Sequence, residues 1–289
     1  MTVFYHADDF GVTVEQSRSI MDCYYKGRLN SVSIIPNSAQ AAESYRLIDK
    51  LVDQNKLRLV VHLNFVEGPC MAYGGKDTVP HLVDEAGNFN CSYGRMLKLD
   101  KSPEHNKVRD EFAAEISAQI AAVVELTGDK TISVDSHQHY LQIPMIWEAF
   151  IQVIADEDYT LKYVRIPVDP MGPVWSTPGL LFKVPPINFV KWALLKKLTP
   201  DTRRLCQMGT HVPVFFGIPF TCQMTQDRVE KLLPKYMAIA EKQDRDLELM
   251  FHPGAVRMVD DLMDANQQDL VEFYGSKYRD LEKETLCSI

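Results

Sequence analysis

The sequence predicts an α/β protein, a distorted (β/α) barrel of about seven or eight parallel strands, TIM-barrel-like, on three observations. Short β-branched or aromatic runs alternate with stretches of helical spacing along the whole chain. Those runs are close to continuously apolar, as strands covered on both faces must be. Several end in side chains able to do chemistry: Asp8 and Asp9 after the first, His62 after the third, His137 after the fourth and His252 after the last. A barrel brings every strand C-terminus to one face, whereas an open doubly wound sheet would part the first strand from the last.

Taken in order, strands are expected near 3–5, 31–35, 57–61, 131–134, 163–166, 212–216 and 247–251. Helices are expected at 15–27, 39–54, 106–127, 145–155, 227–243 and 260–273. Gly27 and Gly128 stand where helix C-caps are needed. Two segments break the alternation. Residues 65–105, with Gly68-Pro69, Gly74-Gly75 and Gly87-Asn88, are too long for an idle connection, so a lid or rim over the site is expected. Residues 170–198 are rich in proline and aromatics, with Trp175, Phe182, Phe189 and Trp192. A substrate wall, a subunit interface that would make a homodimer, and a plain excursion packed on the barrel are equal readings of that segment. Residues 1–289 are read as one domain, since single α/β barrels reach about 250 residues or more.

The 46% hydrophobic and 24% charged content is that of an ordinary globular chain. A net charge of −8, without a basic block, lacks the electrostatic footprint of nucleic-acid binding. Two acids, Asp8 and Asp9, precede any apolar run, so no secretory leader is expected. The most apolar stretch, 189–198, is broken by Lys191, Lys196 and Lys197, so no membrane partner is expected either. The 6 cysteines contain no Cys-x-x-Cys pair, which reads as reduced thiols in a cytoplasm.

The chemistry concentrates at the strand ends. In Asp8-Asp9-Phe10-Gly11, adjacent side chains on extended backbone point apart, so one carboxylate can hold a metal while its neighbour serves another role. The plainer alternative is an Asp pair capping the helix that starts near Thr13. His62, in Val60-Val61-His62-Leu63-Asn64, reads by itself as a satisfied core histidine. In Asp135-Ser136-His137-Gln138-His139, an extended backbone would put residues 135, 137 and 139 on one side, or the run is a polar strand end bonded to loops. Together Asp9, His62 and His137 supply one carboxylate and two imidazoles from three strand ends, a catalytic metal set with open coordination positions. It suits one divalent ion, Mg²⁺ or Zn²⁺, with Co²⁺ or Mn²⁺ as further candidates. His252-Pro253-Gly254 adds an imidazole where a proton donor could stand. Arg165 either enters the mouth or pairs with a barrel carboxylate, and Arg165, His139 and Asn64 are the expected substrate contacts.

Ala7-Asp8-Asp9-Phe10-Gly11, His62-Leu63-Asn64, Asp135-Ser136-His137-Gln138-His139 and His252-Pro253, in that order and spacing, resemble the YdjC-type carbohydrate deacetylase family, which includes chitooligosaccharide deacetylases. The resemblance covers most of the chain. It implies a distorted (βα) barrel that removes acetyl groups from N-acetylated sugars with a divalent metal held by Asp9, His62 and His137. It further implies Asp8 as general base and His252 as general acid. Three departures stand out: His6 where the family usually has Asn, Leu141 where a further His often follows, and no matching motif in 170–198.

The expected activity is therefore release of acetate from N-acetylglucosamine-containing oligosaccharides of the chitobiose or chitobiose phosphate type. A barrel hydrolase of another class, such as a phosphoesterase or cyclic-amide hydrolase, is the first alternative. A non-catalytic sugar-binding barrel is the second.

Overall fold

The computed structural model describes residues 1–258, 262–263 and 268–289. Seven parallel strands, β1 (Val3–Phe10), β2 (Ser31–Ile34), β3 (Arg58–Leu63), β4 (Thr131–Ser136), β5 (Thr160–Val164), β6 (Val214–Phe216) and β7 (Leu247–Phe251), form one sheet in the order β5-β4-β3-β2-β1-β7-β6. Every strand lies where the sequence places one. The sheet curls until its two edges touch at a single bridge between Tyr163 and His211. His211 N donates to Lys162 O at 2.8 Å and Val164 N to His211 O at 3.0 Å. Of the expected distorted barrel of seven or eight strands, the structure shows seven parallel strands in a curled half-barrel. Among the described residues no eighth strand fills the β5/β6 seam.

Thirteen helices of the described residues cover this sheet: α1 (Val14–Lys26), α2 (Ala41–Tyr45), α3 (Asp49–Asp53), α4 (Tyr93–Leu99), α5 (His105–Thr127), α6 (Pro144–Asp156), α7 (Gly172–Trp175), α8 (Pro178–Leu181), α9 (Pro186–Lys197), α10 (Arg203–Gln207), α11 (Gln226–Lys242), α12 (Gln268–Tyr274) and α13 (Lys277–Ser288). Helix α1 starts where the Thr13 hydroxyl accepts from Gln16 N at 3.0 Å. Helix α5 stops at Gly128, whose φ of 67° is the left-handed cap that glycine favours. Gly27 ends α1 for another reason: a Cβ there would sit 1.9 Å from the carbonyl oxygen of Leu286, so only glycine lets α13 lie against α1. The helix expected at 39–54 is instead two short ones, α2 and α3. Of that expected at 260–273, residues 260–261 and 264–267 lie outside the described residues and the rest contributes α12.

The two irregular segments take different forms. Residues 65–105 fold back through bridges Pro69–Asn88 and Val83–Phe89, tied down by buried Glu115 of α5, whose carboxylate accepts from Met71 N and Ala72 N at 2.9 Å. Residues 170–198 become α7, α8 and α9, anchored where Trp192 Nε1 donates to Asp169 O at 2.9 Å. Their outer side leaves Phe182 87%, Ile187 67%, Val190 62% and Trp175 57% exposed. The main core fills the space between sheet and helices. A satellite cluster of Val12, Ile35, Val256, Leu262, Leu270 and Tyr274 packs beneath α12, beside the strand ends that carry the charged residues. No helix among the described residues is long and apolar enough to cross a membrane, and the cysteines form no disulfide.

Candidate metal centre

Asp8 and Asp9 share the same interior despite being neighbours. The pairing of β1 with β2 slips between Ala7 and Phe10, and Asp9 takes a left-handed φ of 64°. A non-glycine residue in that region costs of order 1 kcal/mol or more and persists only where its surroundings hold it. The slip cancels the strand alternation, so Asp8 meets Arg165 while Asp9 meets His62 and His137.

The end of β4 also departs from extended geometry. The strand stops at Ser136, and His137–Gln142 form a 3-10 turn in which Gln138 and His139 have φ of 48° and 64°. Residues 135, 137 and 139 therefore do not share one side as expected. Asp135 meets His62 and His137 meets Asp9, whereas the His139 ring lies 6.5 Å from that of Phe215 with its Nδ1 unpartnered.

Asp9, His62 and His137 come together as a possible metal-holding group. Asp9 Oδ1 lies 3.4 Å from His62 Nε2 and 3.0 Å from His137 Nδ1. Donors that share one ion through bonds of about 2.1 Å stand about 3.0–3.4 Å apart. His62 Nδ1 is bonded to Asp135 Oδ1 at 2.6 Å, and its Nε2 is buried without a hydrogen-bond partner. A carboxylate that holds one nitrogen of an imidazole sets the other to meet a metal ion. These residues therefore fit a divalent ion. The second oxygen of Asp9 is taken by Arg279 Nη2 at 2.5 Å. Burial raises the Asp9 pKa, but Arg279 and His137 outweigh it and hold the carboxyl well below its usual range. At His62 burial opposes the charged ring, yet Asp135 and Asp9 lift it to about 10, so an arriving ion must displace a proton.

A second acidic group, His6, Asp8 and Asp135, lies alongside. Its cation is Arg165. The guanidinium contacts Asp8 at 2.7 and 2.9 Å, Asp135 at 2.9 Å and Glu248 at 2.6 Å, and the residue is 2% exposed. Of the two expected placements for Arg165, pairing with barrel carboxylates is the one observed. Burial would raise Asp8 and Glu248, but Arg165 reverses it, holding Asp8 well below its usual range and Glu248 at about 2. His6 packs between Ser31 at 2.7 Å and Ser33 at 3.1 Å, 3.2 Å from Asp8.

His252 Nε2 stands 3.9 Å from Asp8 Oδ2, and its Nδ1 lies 3.6 Å from Glu282 and 4.0 Å from Cys222 Sγ. Burial disfavours its charge, but Cys222, Glu282 and Asp8 hold the pKa well above the ordinary imidazole value. Asn64 is fully buried: its amide bonds Asn37 and Glu67 O, and its oxygen accepts from Val66 and Glu67 N, so its polar atoms shape a turn instead of facing a substrate. Sequence reasoning missed Glu67, Glu248, Arg279, Tyr274 and Glu282. Glu67 carried one signal, an acid just beyond the His62 strand and next to Gly68-Pro69. The others lie on a strand interior or distant helices, and only the fold brings them in.

Similarity to known proteins follows the same line. The crystal structure of an Enterococcus faecalis protein, described as a candidate for cellobiose-phosphate cleavage, superposes over 99% of this chain and 90% of its own with a TM-score of 0.63 at 17% identity, which speaks to fold. A carbohydrate deacetylase of Xenopus laevis is 31% identical over 56% of this chain and 49% of its own length. One of Danio rerio is 28% identical over the same shares, 56% and 49%. A chitooligosaccharide deacetylase of Yersinia enterocolitica is 28% identical over 60% of this chain and 63% of its own. The matched part thus spans about half the length of the first of these curated relatives. The family model described as YdjC-like protein matches residues 2–289, covering every strand end that meets at the Asp9, His62 and His137 cluster: the chain belongs to the YdjC-like family.

Proposed function

We propose that the chain is a divalent-metal-dependent hydrolase that removes an N-acetyl group from N-acetylglucosamine-containing oligosaccharides, of the chitobiose or chitobiose phosphate type, releasing acetate. The observation that carries the reading is the Asp9 Oδ1 spacing to the two imidazoles, 3.4 and 3.0 Å, at strand ends beside Asp8, whose carboxylate is paired with Arg165. The names of the relatives support the substrate class.

In this reading Asp9, His62 and His137 hold Mg²⁺ or Zn²⁺, which when bound supplies a Lewis acid for an amide carbonyl and its attacking water. Asp8 takes the proton of that water, its ionised form secured by Arg165. His252, cationic and 3.9 Å from Asp8, protonates the departing amine, a poor leaving group that needs acid assistance. Glu282 faces its Nδ1, which leaves Nε2 to deliver the proton. His139, with a free Nδ1 and an exposure of 6%, is the remaining substrate contact of this reading.

The test is acetate release from N,N′-diacetylchitobiose, with and without its phosphate, by protein stripped with chelator and resupplied with Mg²⁺, Zn²⁺ or Co²⁺. Metal-dependent acetate that disappears in His62→Ala is expected. No acetate from metal-loaded protein on either sugar rejects the reading.

A further inference from the structure

The side chains around the metal ligands close into a ring. Asp9 Oδ1 faces His137 Nδ1 at 3.0 Å, and the far nitrogen of that imidazole, Nε2, lies 3.6 Å from Glu67 Oε1. The Tyr274 hydroxyl donates to the same Glu67 oxygen. Arg279 lies 4.6 Å from the Tyr274 ring centroid and 4.4 Å from that of Phe273, and its Nη2 returns to Asp9 Oδ2 at 2.5 Å. Each of these charged or hydroxyl-bearing residues is at most 2% exposed.

A metal-binding imidazole can turn about its Cβ–Cγ bond, and a carboxylate can present either oxygen. What selects one arrangement is the partner on the atom that does not bind the ion. For His62 that partner is Asp135. For His137 the group on the corresponding side is Glu67, itself oriented by Tyr274, and Glu67 Oε2 and His137 Nε2 have no hydrogen-bond partner.

We propose that α12 and α13 clasp the metal ligands: Arg279 occupies one oxygen of Asp9 so that the other meets the ion, and Tyr274, through Glu67, sets His137 so that Nδ1 and not Nε2 does. Glu67, Tyr274 and Arg279 are positioning residues. The clasp rests on the reading that Asp9, His62 and His137 hold a metal, and it adds which atoms do so and what enforces the choice.

The experiment measures Zn²⁺ and Co²⁺ dissociation constants of the stripped protein by calorimetry, with ring-nitrogen NMR of His137, for Tyr274→Phe, Glu67→Gln and the pair combined. Tyr278→Phe, an exposed change on α13, serves as control. Each single variant is expected to weaken binding by roughly 10–100-fold, as loss of an outer partner does. The combined variant should be no weaker than the worse single one, because both break one link. His137 in the metal-loaded protein should show Nδ1 as the bound nitrogen. Glu67→Gln is close to isosteric and carries the test should Tyr274→Phe fail to fold. Unchanged constants, additive losses, or Nε2 as the bound nitrogen would overturn the clasp. Wild-type protein that binds neither ion rejects the metal reading beneath it, an outcome separate from unchanged constants in the variants.

Discussion

Arg165 faces three carboxylates in a space almost without water, and its single charge is shared among Asp8, Asp135 and Glu248. Removing one partner of a buried ion group strands the others, which costs about 3–5 kcal/mol. Arg165→Met is therefore expected to lose about that much stability, read as a lower urea midpoint; a midpoint equal to wild type would contradict the pairing. Asp8 itself makes no contact with His62 or His137 within ion-pair distance, so Asp8→Asn should bind Zn²⁺ within a few-fold of wild type. Its acetate turnover should fall by about 10²-fold or more, and retained turnover would remove Asp8 as the base. Asp8, Asp9, His62, His137 and His252 were legible because each breaks an apolar run at its C-terminal end. Glu67, Tyr274 and Arg279 were not, because an acid in a loop and an Arg on a helix look like surface residues until the chain folds.

The loop from β6 into the 3-10 turn Ile218–Phe220 hangs on Asp169, which accepts from Gly217 N at 2.8 Å, Ile218 N at 3.0 Å and Tyr236 OH at 3.3 Å. Burial pushes this carboxyl up to about 7 against those bonds. A folded pKa raised above the unfolded value means that the folded form holds the proton more tightly. Its contribution is complete below about 4 and is lost as pH rises toward about 7. The thermal midpoint of the wild type should carry that decline between pH 4 and 7, and Asp169→Asn should flatten it while lowering the baseline. An equal slope in both proteins would place the decline elsewhere. Helix positions α1, α5, α6 and α11 follow the sequence pattern closely, because long amphipathic periods survive any context. The turn at 137–142 did not, because strand continuation through His139 assumes φ < 0 at residues that take 48° and 64°.

At the scale of the molecule the candidate metal ligands stand on β1, on β3 and one residue past the end of β4, so an ion bound at their meeting point would tie the middle of the sheet together. An ion present at about 100 times its dissociation constant adds about 2.7 kcal/mol. Chelator should therefore lower the thermal midpoint by several degrees, and His62→Ala should abolish the difference. A midpoint indifferent to chelator in the wild type would reject the ion. The curled parallel sheet was legible from alternation and apolar strands. Where its edges meet was not, since one bridge between Tyr163 and His211 leaves no periodic trace.

The pairing of β1 with β7 has a consequence in time. Val3 lies opposite Leu247 and Thr2 N reaches Asp246, 244 residues away in sequence. Loop closure of that length is slow, and parallel pairings of distant strands delay folding. Asp9 gains its Arg279 partner only when α13 is in place, on a chain whose β7 has paired with β1. Forms of the chain that have not paired β1 with β7 and docked α13 lack the Arg279 hold on Asp9, and should bind metal more weakly than the folded protein.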